Sequence, residues 1–277
     1  MKNVKQIIYP LIILWSVLAG YFAFSDLQTS NSIVNPNAGW AVFMELYGEL
    51  PGAFIVLFGL VIYIVNYSSS SLIKRISVNT FFQIGSTGVL IYIIFIILWG
   101  LTGNNDFFYN NSFSLASVSL FLTLIIVIIL KKIAVNFSPA VLLTSKVITT
   151  MSLIGYLIFI QMIKIFWGRL RFRDLNALQS GFTEWYLPQG ITGGESFPSG
   201  HAAMAWMLLP IILLIPKKNK IVKIFTTGLI IAWGIAVPLS RVVIGAHYAS
   251  DVLFGSFIMI FSFLLIGEKY LSVYSYI

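Results

Sequence analysis

The stretch VITTMSLIGYLIFIQMIKIFWGRLRFR, residues 147–173, changes character at one point. Its first seventeen residues, Val147 to Ile163, hold no Asp, Glu, Lys or Arg, whereas the last ten hold four cations, Lys164, Arg169, Arg171 and Arg173. A helix crosses a hydrocarbon core of ~30 Å with ~20 apolar residues, and somewhat fewer where the bilayer adapts. The stretch therefore reads as a membrane span over 147–164 that ends in a dense cationic segment.

Seven further stretches read as spans, at 7–24, 51–67, 80–101, 114–130, 201–216, 224–240 and 252–267, with charges only at their ends. The whole chain of 277 residues is 58% hydrophobic and 9% charged, with a mean hydropathy of +0.94. Soluble domains carry about 25% charged residues, so a soluble fold is excluded. The expected fold class is all-α: a polytopic transmembrane helical bundle of about eight spans forming one integral membrane domain over 1–277, with no linker, repeat or low-complexity tract. Met1 to Lys5 and the apolar run that follows read as an uncleaved first span rather than a signal peptide, because no small-residue cleavage site follows. Cysteine is absent, which excludes disulfides, a thiolate nucleophile and cysteine-ligated metal.

The net charge of +8 would suggest a nucleic-acid partner in a soluble protein; in a bilayer it reports topology, and no nucleic-acid partner is expected. With both termini cytoplasmic, 12 of the 17 basic residues lie inside and eight of the nine acidic ones outside. Five cations break the positive-inside rule: Lys164, Arg169, Arg171, Arg173 and Arg241. Anionic headgroups or pairing with Asp174 and Glu184 would account for them, and so would a bound anion. Their neighbours favour the anion. Pro198-Ser199-Gly200-His201 and Ser240-Arg241 with His247 and Asp251 fall on the same outer face, and these are the only two histidines in the chain.

Spacing suggests how these groups converge. Lys164 and Arg171 are two helical turns apart, so a helix continuing beyond the span would present both on one face. His247 and Asp251 are four apart, so a helix entering the last span would stack the carboxylate beneath the imidazole, fixing its tautomer and favouring its cationic form. Ser199 and the Gly200 N–H stand where a helix N-terminus favours negative charge. Cations, a helix N-terminus, two imidazoles and an orienting carboxylate are what phosphoryl transfer requires, because its transition state spreads charge over three equatorial oxygens. No cage of clustered carboxylates is visible, so neither a metal nor another cofactor is expected.

These residues resemble the type 2 phosphatidic acid phosphatase (PAP2) superfamily, whose signatures are K-x6-R-P, P-S-G-H and S-R-x5-H-x3-D. The second and third are complete at Pro198 to His201 and at Ser240, Arg241, His247 and Asp251. The first has Lys164 and Arg171 but Phe172 in place of proline. The resemblance spans approximately 147–267 and implies a six-helix core, here preceded by two additional helices. It implies that His247 attacks phosphorus to form a phosphohistidine, that Asp251 orients it, and that His201 protonates the leaving oxygen and then activates water. Lys164, Arg171, Ser199, Gly200 and Arg241 would hold the phosphate. Arg169, Arg173 and Ser240 are candidates for the headgroup or a second phosphate. The implied partner is a membrane lipid phosphate in the bilayer, met by an extracytoplasmic site in the cell membrane. Family members of this size act on undecaprenyl diphosphate, the favoured substrate, or on phosphatidylglycerophosphate or phosphatidic acid. The competing readings are a lipid transporter, disfavoured because no ionised residue lies mid-span, a non-catalytic phospholipid-binding protein, which would have little use for the His247 and Asp251 pair, and a vanadium haloperoxidase-like enzyme.

Overall fold

The computed structural model describes residues 4–66, 136–216 and 218–274, with scattered helical positions between 87 and 128. The spans expected at 80–101 and 114–130 otherwise lie outside the described residues. Among those residues every regular element is helical: α1 (Val4–Ile33), α2 (Gly39–Tyr47), α3 (Leu50–Asn66), α4 (Pro139–Thr150), α5 (Ile163–Trp167), α6 (Gly200–Trp206), α7 (Lys220–Val243) and α8 (Ala249–Tyr274). A widely wound π-helical segment, Met151–Met162, joins α4 to α5. Among the described residues five helical stretches are long and apolar enough to cross a membrane: Val4–Ile33, Gly39–Asn66, Pro139–Asp174, Lys220–Val243 and Ala249–Tyr270.

Sequence chemistry explains where these helices break. The span expected over 51–67 is α3, and the helical stretch extends back to Gly39; Pro51 has no N–H for the Tyr47 carbonyl, so this stretch divides into α2 and α3, and the Trp233 indole donates to the Gly48 carbonyl at 3.1 Å. The stretch expected as a continuous span over 201–216 is α6 followed by a 3-10 segment, Leu209–Leu214, because Pro210 cannot bond back to Trp206. The fifth span stops at Gly168, which takes the left-handed conformation (φ 63°) as the cap of α5. Arg171 therefore lies in extended chain rather than on a continued helix, which corrects the two-turn expectation.

Among the described residues the main apolar cluster of the core includes Leu60, Val147, Met151, Ile160, Met204, Met207 and Met259, all fully buried. Small residues bring the helices together, as is usual where lipid supplies no drive for association. A Cβ on Gly52 would run into the Met204 backbone, and one on Gly255 into the Ser199 carbonyl. One on Gly234 would stand 2.7 Å from the Trp206 ring. Outside this core, large apolar side chains such as Phe24, Ile221, Ile224 and Phe225 face outward as a lipid-contacting surface.

Candidate active site

Both histidines and all five exceptional cations gather at one end of the bundle. At its centre is Asp251, in the first turn of α8 and fully buried. Its Oδ2 accepts from the Tyr248 N–H at 2.9 Å and from the Ser196 hydroxyl at 2.5 Å, and its Oδ1 accepts from Arg169 Nη1 at 2.6 Å. His247 precedes the helix rather than lying on it. The loop folds over the helix start and brings Nδ1 within 3.5 Å of Asp251 Oδ2, which corrects the expected helical stacking. Only 2% of His247 is exposed, and burial pushes its pKa down to about 3, with Lys164 and Arg241 adding to the fall. Asp251 opposes this shift but does not overcome it, so the imidazole is neutral near pH 7 and not cationic as the spacing suggested.

Arg169 is held among protein groups. It is 1% exposed and reaches Asp26 at 2.8 Å through Nη2, Ser250 at 2.8 Å through Nη1, and the Thr183 carbonyl at 2.8 Å through Nε. The Tyr248 ring lies under it, 4.0 Å from ring centroid to guanidinium carbon. Asp26 on α1 also accepts from the Ser250 N–H at 3.0 Å and from the Ser250 hydroxyl. Arg169 thus joins α1 to the start of α8, and its nitrogens are engaged by protein rather than turned toward a headgroup.

Arg241 differs. It is 3% exposed, and its Nη2 is 3.3 Å from Glu45, yet its Nε and Nη1 are buried with no hydrogen-bond partner among the described residues. Arg171 is also incompletely paired: Glu195 stands 3.7 Å away, and its buried Nε has no partner among the described residues. Lys164, in the last turns before Gly168, stands beside Gly200, where a Cβ would lie 3.6 Å from the Lys164 Nζ. Ser199 caps α6, its hydroxyl accepting from Ala202 N at 3.4 Å, and its N–H donates to the Asp251 carbonyl at 3.0 Å. His201, one residue into α6, meets Glu49 at 2.9 Å through Nε2. Arg173 is more exposed and pairs with Glu45 at 2.9 Å, while the Ser240 hydroxyl is buried and donates to the Val237 carbonyl.

Phe172 fits without disturbing this arrangement. Arg171 has φ −73° and ψ 152°, the conformation that a following proline would also require, and the Phe172 ring packs on Tyr248 at 6.1 Å. Trp185 anchors the loop that carries it. Its indole donates to the Ala19 carbonyl at 3.2 Å and its ring meets Phe254 at 4.6 Å, tying the long loop after α5 to α1 and α8.

Partners at the site that the signatures do not include are Asp26, Glu45, Glu49, Glu195, Ser196 and Ser250. The first three come from the N-terminal segment, on α1, on α2 and in the turn before α3. The one available signal was electrostatic: five cations on a face expected to be poor in them need counter-charges, and the acidic residues assigned to that face are where to seek them.

Among the described residues, an all-helical arrangement with five helices long and apolar enough to cross a membrane, and with one buried and one half-buried histidine among cations at one end, has the make-up of a helical membrane protein. The chain matches the PAP2 superfamily over residues 114–270 and belongs to it. No solved structure matches the chain. Membership implies phosphatase activity on phosphate esters at a membrane.

Proposed function

We propose that this protein is a metal-independent lipid phosphatase that works through a phosphohistidine on His247, most favourably on undecaprenyl diphosphate, at the extracytoplasmic face of the cell membrane. The observation that carries this reading is the pairing of a neutral, buried His247 with Arg241, whose Nε and Nη1 are buried and lack an acceptor among the described residues. Buried guanidinium N–H groups without partners are costly unless a ligand satisfies them, and a phosphate oxygen does so with charge-assisted bonds.

In this reading Asp251 faces Nδ1 of His247, leaving Nε2 to attack phosphorus in line. Lys164, Arg171, Arg241, the Ser199 hydroxyl and the Gly200 N–H hold the equatorial oxygens. His201 gives its proton to the leaving oxygen and later takes one from the attacking water. Asp251 and Glu45 are each paired with cations, which is a poor preparation for binding a divalent metal. Eight spans with both termini cytoplasmic put the site on the outer side, where charge distribution supports the orientation. The whole chain acts as one unit, with residues 147–267 carrying the signatures and the N-terminal helices supplying counter-charges. A phosphate at headgroup level with tails in the bilayer suits such a site, and undecaprenyl diphosphate is favoured because that substrate is presented on the outer face of the membrane.

Phosphate release tests this proposal. Detergent-purified protein with chelator present is assayed on undecaprenyl diphosphate, phosphatidylglycerophosphate and phosphatidic acid, beside His247→Ala. Release that survives chelation and is lost in the variant supports the reading, and the preferred lipid identifies the substrate. Full activity in the variant overturns the mechanism, and no release from any of the three overturns the lipid phosphatase assignment.

A further inference from the structure

Glu49 lies outside the signatures and outside the matched span, yet its Oε1 is 2.9 Å from Nε2 of His201. The Glu45 main-chain carbonyl is 3.2 Å from the same nitrogen. Both are acceptors, so Nε2 carries the hydrogen and Nδ1 is the nitrogen left to exchange protons. The contact is built into the packing. Glu49 stands three residues before Gly52 and His201 three before Met204, and the Gly52 and Met204 backbones are so close that a Cβ on Gly52 would collide. On one side of Glu49, the Gly48 carbonyl is held by Trp233. On the other, Leu50 is buried in the core. The backbone of α3 is thus registered against α6 one turn from the pair.

Resting on the phosphatase reading above, we propose that Glu49 is a positioning residue for His201, fixing its Nε2–H tautomer and balancing the imidazolium that serves as general acid. In the first step the His247 Nε2–P bond forms and the P–O bond breaks. The leaving oxygen keeps that electron pair and takes the proton from Nδ1 of His201. In the second step neutral His201 takes a proton from water as its oxygen attacks phosphorus, and the P–N electron pair returns to His247. One water is consumed and both histidines are restored. The two histidines are thus each backed by a carboxylate, Asp251 from the last helix and Glu49 from the N-terminal pair.

Leaving-group dependence tests this role, because a group that leaves readily needs no general acid. Full-length protein is assayed on short-chain phosphatidic acid, an alkyl ester, and on p-nitrophenyl phosphate. The parameter compared is kcat/KM, which covers steps through phosphohistidine formation. Glu49→Gln should lower kcat/KM about 100-fold on the alkyl ester and less than about 5-fold on the aryl ester, in line with the usual size of general acid catalysis. Glu49→Asp should recover part of the loss. In a His201→Ala background, adding Glu49→Gln should cost less than about 2-fold more on the alkyl ester, since two residues acting as one unit are not additive. Equal losses on both esters, no loss, or full additivity with His201→Ala would each overturn the proposal. Phosphohistidine trapped on Glu49→Gln from the aryl ester distinguishes a folded variant from a collapsed one. A wild-type protein that hydrolyses neither ester would instead refute the phosphatase reading on which the role of Glu49 rests.

Discussion

Replacing Arg169 with methionine removes the cation that faces two buried carboxylates, Asp26 and Asp251, while keeping most of the side-chain volume. Arg169 makes charge-assisted contacts of 2.8 Å and 2.6 Å with them, and both acids are at most 2% exposed. Removing one partner of a buried ion pair leaves an uncompensated charge and costs about 3–5 kcal/mol. Two carboxylates are stranded here, so the upper part of that range applies, less whatever they recover by taking up protons. For a chain of this size about 1 kcal/mol corresponds to roughly 2–4 °C, so Tm should fall by roughly 8–20 °C. Thermal unfolding of the detergent-purified protein, followed by tryptophan fluorescence, measures this. Asp26→Asn combined with Arg169→Met should recover several degrees, because one stranded charge is then gone. A Tm within about 2 °C of wild type together with a raised KM for a lipid substrate would refute the buried-bridge argument and restore Arg169 as a headgroup contact.

Three other outcomes follow from the geometry. The pKa of His247 lies near 3, below its ordinary 6.5, so the unfolded chain binds more protons between those values and stability rises with pH through that window. The contribution is complete above about pH 6.5 and is lost as pH falls toward 3; the Tm difference between pH 7.5 and 4.5 should therefore shrink in His247→Asn, and an unchanged difference would count against a neutral buried imidazole. Gly255→Ala places a methyl group against the Ser199 carbonyl, which should cost about 1–3 kcal/mol and reduce turnover by shifting the start of α6, as read by Tm and phosphate release. The chain has no cysteine, so Leu178→Cys, at an 88% exposed position in the long loop after α5, offers a unique thiol that an impermeant reagent should label on intact cells; labelling only after permeabilisation would reverse the topology.

The sequence revealed the site residues that lie within a few positions of one another and hid those that meet across the chain. Pro198 to His201 and Ser240 to Asp251 are short patterns with local chemistry, and they were readable directly. Asp26 and Glu49 are single carboxylates near span ends, with no periodicity or neighbouring signal to name their partners. Asp26 meets Ser250 across 224 residues, a pairing fixed by how α1 packs on α8. The expected helical face joining Lys164 to Arg171 failed at Gly168, although glycine just past a basic last turn is a readable stop signal. The cationic form expected for His247 failed for another reason: the pattern shows its neighbouring charge but not its burial, and burial dominates.

The Asp26 to Arg169 contact also imposes an order on biosynthesis. These residues are 143 positions apart, so α1 is synthesised and delivered to the bilayer well before its counter-charge emerges from the ribosome. Until then Asp26 must remain hydrated at the membrane surface or take up a proton, because an unpaired carboxylate is costly in a dry interior. Final docking of α1 therefore waits for the fifth predicted span, so a helix made early is locked late.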